Sequence, residues 1–103
     1  MTKTHELAST ASGPLAGVRI IDMTTVVLGA YATCMLGDMG ADVVKVETAP
    51  DKHGVGGDIM RWAGRSPSGK GPGMGPIFMT INRNKRSITL DLKHEEDLCV
   101  LKD

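Results

Sequence analysis

The chain has 103 residues, in which twelve basic side chains balance twelve acidic ones, so its formal net charge at pH 7 is zero. With no excess of either sign, no overall field attracts the protein to nucleic acid or to a membrane surface. Its three aromatic residues are too few for the stacking platforms on which single-stranded nucleic acids bind. This composition favours one small domain that acts on a small molecule, without a nucleic-acid or membrane partner.

Residues 1–12 are small and polar, so we expect a disordered arm without the apolar stretch of a signal peptide. The most apolar run, residues 26–36, is too short to span a bilayer. Cys34 and Cys99 are isolated in the sequence and are expected to be buried thiols rather than a disulfide pair. These features predict a soluble, cytoplasmic protein.

Residues 18–47 have the pattern of a strand, a tight loop, a helix and a second strand. Residues 18–23 are mostly apolar and β-branched, which is typical of a buried strand. Tyr31, Met35 and Met39 lie four apart and predict an apolar stripe on a helix near 30–39, with Gly40 as its stop. The alternating residues 42–47 predict the second strand. Because such crossovers join parallel strands, the predicted fold is an α/β, partial Rossmann-like open parallel sheet.

Glycine and proline dominate residues 48–76, which predicts a long irregular loop. Such a loop either lies over a site or is only a flexible connection. Residues 78–81 predict a short helical turn, and the alternation at 87–92 predicts a third strand. Acidic residues after His94 precede an apolar cluster, as at the start of a helix. Residues 13–103 are therefore predicted to form one α/β unit.

Two segments are candidates for anion binding. The loop at residues 24–30 follows the first strand and faces a helix amino terminus, which favours a phosphate or carboxylate. It lacks the glycine pattern of dinucleotide sites, so an ordinary connection is the alternative. Residues 82–86 combine three cations with two amides and would suit a phosphorylated ligand, unless they form a solvated turn.

Other catalytic chemistries find little support in the sequence. His5, His53 and His94 lack the spacing of metal ligands, so no metal site is expected. The serines lack a nucleophile elbow, and Cys34 has no neighbouring base. Asp22 is the carboxylate in the first strand and remains a candidate acid–base group.

Three sequence blocks occur in a specific order: GPLAGVRIIDMTTVVLGAYATCMLGDMGADVVKVE, a GD-x-x-R motif made by Gly57, Asp58 and Arg61, and NRNKRSITLDLK. Together they resemble the amino-terminal region of class III CoA-transferases. This family contains formyl-CoA and carnitine-CoA transferases and also α-methylacyl-CoA racemase. The resemblance runs from residue 13 to about residue 94, which is most of the chain.

The resemblance implies a Rossmann-like α/β domain with a smaller second domain, in a homodimer of two interlocked ring-shaped subunits. It also implies transfer of CoA between carboxylic acids through an aspartyl-CoA thioester. Coenzyme A or an acyl-CoA is then the substrate, and no metal is needed. By position in the family, the candidate CoA-binding residues are Val27, Leu28, Leu90, Asp91, Leu92 and Lys93. Two residues of the basic segment at 82–86, Asn84 and Lys85, are added to these candidates.

The chain also departs from the family pattern. Val27 and Thr48 stand where formyl-CoA transferase has a glutamine and an arginine. The family's catalytic aspartate is expected beyond residue 103, so we predict a truncated chain or a piece of a longer one, without a catalytic residue of its own. Three interpretations stay open: part of a transferase or racemase, a non-catalytic CoA-binding module, and a fragment that associates with full-length relatives.

Overall fold

A computed structural model describes residues 12–64 and 73–102 of the chain. Three parallel strands form one sheet in the order β1-β2-β3, with bounds Arg19–Asp22, Asp42–Glu47 and Lys85–Thr89. The helices are α1 (Leu28–Asp38), a 3₁₀ helix (Ile59–Trp62), α2 (Pro76–Ile81) and α3 (Glu95–Lys102). The predicted open parallel α/β sheet is therefore confirmed. The predicted disordered arm, apart from residue 12, and residues 65–72 of the predicted loop lie outside the described residues.

The third strand differs from its prediction. We expected it at residues 87–92, whereas β3 begins at Lys85 and ends at Thr89. Charged residues enter this strand because each has a carboxylate on its own face of the sheet: Lys85 pairs with Asp22, and Arg86 with Asp42. The strand ends where its partner ends, since Glu47 at the end of β2 pairs with Thr89.

The face of α1 that packs on the sheet is made of small residues. The predicted stripe of Tyr31, Met35 and Met39 is 42–49% exposed, so it does not face the core. Ala30 and Cys34, which are fully buried, do so instead. Their short side chains let the helix backbone approach the polar groups on the sheet.

The layer over one face of the sheet is formed by α1, α2 and the 3₁₀ helix. α1 packs on β1 and β2, and α2 packs on α1 and on the 3₁₀ helix. Alternate strand residues point toward this layer, and several of them are charged and buried: Asp22, Lys45 and Glu47 are 1–6% exposed. On the opposite face Ile21 is 46% exposed. The buried layer of this fold is therefore unusually polar.

The two later helices lie where the sequence predicts them. α2 has Pro76 in its first turn, where the missing N–H costs no helical hydrogen bond. α3 has three acidic residues in its first turn and Lys102 in its last, which complements the helix dipole. Cys99 on α3 is exposed, so the prediction of a second buried thiol was wrong. In residues 12–64 and 73–102, no helix combines the length and the apolar character that crossing a membrane requires.

Gly40 ends α1 in the way that the sequence predicts. Its φ angle is +103°, and its N–H donates to the Gly37 carbonyl at 3.0 Å, while Ala41 N–H donates to the Leu36 carbonyl at 3.2 Å. This pair of bonds is the Schellman arrangement of a helix C-terminus. A Cβ at Gly40 would collide with the backbone carbonyl of Ser12. The glycine thus sets both the end of α1 and the approach of the preceding segment.

We expect Gly40→Ala to lower the free energy of unfolding by about 2 kcal/mol or more, because a left-handed backbone and a backbone collision act together. Urea unfolding followed by circular dichroism measures the change. Gly17→Ala is the matched control, since Gly17 has a φ of +88° and open space around its Cβ position. A loss at Gly40 no larger than at Gly17 would contradict the role of the collision.

Candidate functional site

A cavity of about 520 Å³ opens at the carboxyl ends of all three strands. Residues 23–25 after β1 form one wall, and residues 48–50 after β2 with Gly57 and Asp58 form a second. The segment after β3, residues 90–93, forms the third wall. Since ligands of open α/β sheets bind outside the carboxyl ends of the strands, this cavity is the candidate site.

Four of the predicted binding residues line this cavity: Leu90, Asp91, Leu92 and Lys93. Leu90 is 7% exposed, and its N–H donates to the Glu47 carbonyl at 3.0 Å, which fixes the segment to the end of β2. Lys93 N–H donates to the Asp91 carboxylate at 3.0 Å, while the Lys93 side chain is exposed. The segment is therefore held at its base and presents an exposed cation at its rim.

Val27 and Leu28 lie at the start of α1 and do not line the cavity. Val27 is the N-cap residue of α1, and its apolar side chain cannot accept a hydrogen bond from the first amides of the helix. Leu28 is 85% exposed. These two residues offer backbone N–H groups beside the cavity rather than side-chain contacts within it.

Asn84 and Lys85 lie at the amino end of β3, away from the cavity. The Asn84 side chain donates to Asp38 at 2.6 Å. The Lys85 ammonium pairs with Asp22 at 2.8 Å and donates to the Ala30 carbonyl at 2.9 Å. Their predicted contact with a ligand therefore stays a prediction, and the structure does not bring them together with residues 90–93.

A buried ion pair at the cavity floor was not predicted from the sequence. Lys45 Nζ lies 2.9 Å from Asp58 Oδ2, with side-chain exposures of 2% and 0%. Lys45 also donates to the Thr24 carbonyl at 3.0 Å. Asp58 Oδ1 accepts the N–H of Met60 at 2.9 Å and caps the 3₁₀ helix. A lysine on the buried face of an apolar strand was the available signal, because a buried ammonium requires a charged partner.

Two further buried carboxylates are held in their ionised form. Burial alone would raise the pKa of Glu47, but hydrogen bonds from Arg61, the Asp58 amide and Ser87 lower this pKa to about 2. Arg61 binds Glu47 through two bonds of 2.7 Å, and its guanidinium stacks 4.0 Å from the Phe78 ring centre. Burial of Asp22 is likewise outweighed by hydrogen bonds from Lys85, Thr24 and Thr33, and its pKa falls to about 2. These carboxylates are structural anions rather than proton donors near pH 7.

Comparison with known proteins gives one consistent family. The sequence model of CoA-transferase family III matches residues 15–103. The beta subunit of succinyl-CoA–L-malate CoA-transferase from Chloroflexus aurantiacus is 41% identical over 95 residues, which are 92% of this chain and 22% of that protein. Succinyl-CoA:mesaconate CoA-transferase from Haloarcula hispanica is 44% identical over 86 residues, which are 82% of this chain and 20% of that protein.

The fold has the same relatives. The crystal structure of a CaiB/BaiF family protein from Brucella suis matches with a TM-score of 0.70 and 30% sequence identity. The match covers 88% of this chain and 23% of that chain. This chain thus spans about a fifth of the length of the curated relatives it matches.

The depressed pKa values of Asp22 and Glu47 predict how stability depends on pH. Both groups ordinarily titrate near 4, at 3.8 and 4.5. Their stabilisation is therefore complete above about pH 5 and is lost as the pH falls toward about 2, by about 2–3 kcal/mol for each group. Urea unfolding between pH 7 and pH 2.5 measures this loss.

Asp22→Asn should remove part of the pH dependence and lower stability most at pH 7, because the uncharged amide leaves the Lys85 ammonium buried without its partner. Glu96→Gln, on the exposed first turn of α3, is the control and should leave the pH dependence nearly unchanged. If the free energy of unfolding of Asp22→Asn falls with pH as steeply as that of the wild-type chain, ionised Asp22 does not contribute to the pH dependence of stability.

Proposed function

We propose, because this chain belongs to CoA-transferase family III, that its cavity binds coenzyme A or an acyl-CoA as part of the transfer of CoA between carboxylic acids. The membership confirms the resemblance inferred from the sequence blocks. The observation that carries the proposal is the position of residues 90–93, the segment that the resemblance assigns to CoA contact, on the wall of the cavity.

The chemistry of the cavity suits the parts of a CoA molecule. Apolar side chains of Met23, Val46, Leu90 and Leu92 offer surface to an adenine ring, and the ends of the strands offer backbone groups to its edge. The Lys93 ammonium is a mobile point charge for a phosphate. The amides at the start of α1, which the Val27 side chain does not cap, favour an anion on the adjacent side.

We assign the residues of the cavity a role in binding CoA. We assign the attack on the thioester to none of the described residues. Three carboxylates line the cavity: Asp58 is paired with Lys45, Glu47 is paired with Arg61, and Asp91 accepts the Lys93 N–H. A carboxylate that must attack a thioester needs a free lone pair directed at the substrate. Asp58 and Glu47 are engaged in ion pairs that stabilise the fold, and Asp91 fixes the backbone of its own segment.

The ligand half of the proposal is tested by titrating CoA into the 103-residue chain in a calorimeter. We expect a dissociation constant no tighter than about 100 μM, because Thr48 supplies no cation for a phosphate. Lys93→Ala should weaken binding about 5- to 100-fold by removing a charge-assisted contact. Lys102→Ala, at the last turn of α3, is the control and should bind as the wild-type chain does. Equal losses for both lysines would point to unspecific attraction and would refute the assigned site.

The catalytic half is tested by a transfer assay with succinyl-CoA and a free dicarboxylic acid. We expect no turnover by the 103-residue chain, because two of its three cavity carboxylates are engaged in buried ion pairs and the third, Asp91, accepts the Lys93 N–H within its own segment. Turnover that persists in a preparation freed of full-length CoA-transferases would overturn this expectation. The matching control is the same assay with a full-length family member, which should transfer CoA under the same conditions.

A further inference from the structure

The loop between β1 and α1 holds a valine in an unfavourable conformation. Val26 has a φ of +65°, a region that β-branched residues rarely adopt because their side chain crowds the backbone. Such a conformation persists only where the surrounding structure imposes it. The contacts that impose it here come from buried charged groups beneath the cavity.

Three groups fix the backbone of this loop. Asp22 accepts the Thr24 N–H at 2.8 Å, and Lys45 donates to the Thr24 carbonyl at 3.0 Å. Asp58 Oδ1 accepts the Val26 N–H at 3.3 Å. The loop is therefore held on both sides of Thr25. Thr25 itself lines the cavity.

Lys45 and Asp58 depend on each other for this function. Their charged atoms lie 2.9 Å apart, and Asp58 Oδ2 has no hydrogen bond of good geometry to any described residue, so the Lys45 charge is its compensation. Asp58 belongs to the crossover after β2, whereas Val26 belongs to the crossover before it. The pair therefore ties two separate cavity walls to the end of the central strand.

We propose that Lys45 and Asp58 are positioning residues that hold the loop at residues 24–27 in the strained conformation required for CoA binding. The consequence for CoA rests on the proposed function, but the loop restraint does not. A buried ion pair is commonly replaceable by apolar residues without loss of stability. What apolar residues cannot replace is the pair of bonds to the Thr24 carbonyl and the Val26 amide.

The loop restraint is tested by amide hydrogen exchange in Asp58→Ala, read at Thr24. This amide keeps its own acceptor, Asp22, in the variant, so faster exchange there reports movement of the loop rather than loss of a direct bond. We expect Thr24 to exchange about tenfold faster or more, while the β2 amides change less. The control Val43→Ala shortens a side chain that is 1% exposed and lies on the same face of β2 as Lys45. It should speed amide exchange at Thr24 and in β2 equally.

If amide exchange in Asp58→Ala becomes faster by the same factor at Thr24 and in β2, the proposal is overturned, because the variant has then lost only overall stability. If Asp58→Ala does not fold, Asp58→Asn serves in its place. Asparagine keeps the shape of the side chain and one acceptor oxygen but removes the charge attraction to Lys45. We again expect exchange to increase more at Thr24 than in β2, by a smaller factor than in Asp58→Ala.

The consequence for binding is tested by CoA titration at a temperature where all variants are folded. Asp58→Ala and Lys45→Met should each weaken CoA binding about tenfold. The double variant should lose no more affinity than the more affected single variant, because both residues act through one loop. Val26→Asn in the Asp58→Ala background should restore part of the affinity, since asparagine tolerates the left-handed conformation. A general loss of stability would give no such rescue.

The two proposals fail separately. If the wild-type chain does not bind CoA while Thr24 shows the unequal exchange pattern, the proposed function fails and the loop restraint stands. If the wild-type chain binds CoA, and Asp58→Ala binds it equally with Thr24 still protected, the restraint fails and the proposed function stands.

Discussion

The ammonium group of Lys45 is almost completely removed from water, and the cost of this desolvation has to be offset before the central strand can be covered. The offset comes from Asp58, which lies in the following crossover, and from the Thr24 carbonyl, which lies in the preceding one. The sheet can therefore be covered on this face only when both crossovers are in place. Folding of the strand and formation of the cavity walls become one event.

The same solution recurs along the covered face of the sheet. Asp22 pairs with Lys85 across the sheet, and Glu47 pairs with Arg61 from the 3₁₀ helix. These pairs also fix the register of the strands, because a shift of β3 by one residue would turn Lys85 to the opposite face, away from Asp22. Only small residues of α1, such as Ala30, fit above this layer. Charge pairing thus specifies both the strand order and the kind of helix face that can cover it.

The order of the elements was predictable from the sequence, because apolar alternation in β2 and the stop at Gly40 are local signals. The position of β3 was not, since it depends on Asp22 and Asp42, which lie far away in the sequence. The apolar stripe of α1 was found, but its orientation depends on what the sheet presents to the helix. At the site, residues 90–93 were found through resemblance, whereas Lys45 and Asp58 had to be seen paired before their role was apparent.

A buried layer built from ion pairs has a consequence for the thermodynamics of this chain. Exposing apolar surface raises the heat capacity on unfolding, while exposing polar surface lowers it. Asp22, Lys45 and Glu47 occupy strand positions that aliphatic residues fill in most parallel sheets, and Asp58 is buried beside them, so unfolding should change the heat capacity less than is usual for a chain of this length. A small heat-capacity change flattens the curve of stability against temperature. The charges beneath the cavity would therefore keep the stability of this fold nearly constant over a wide range of temperature.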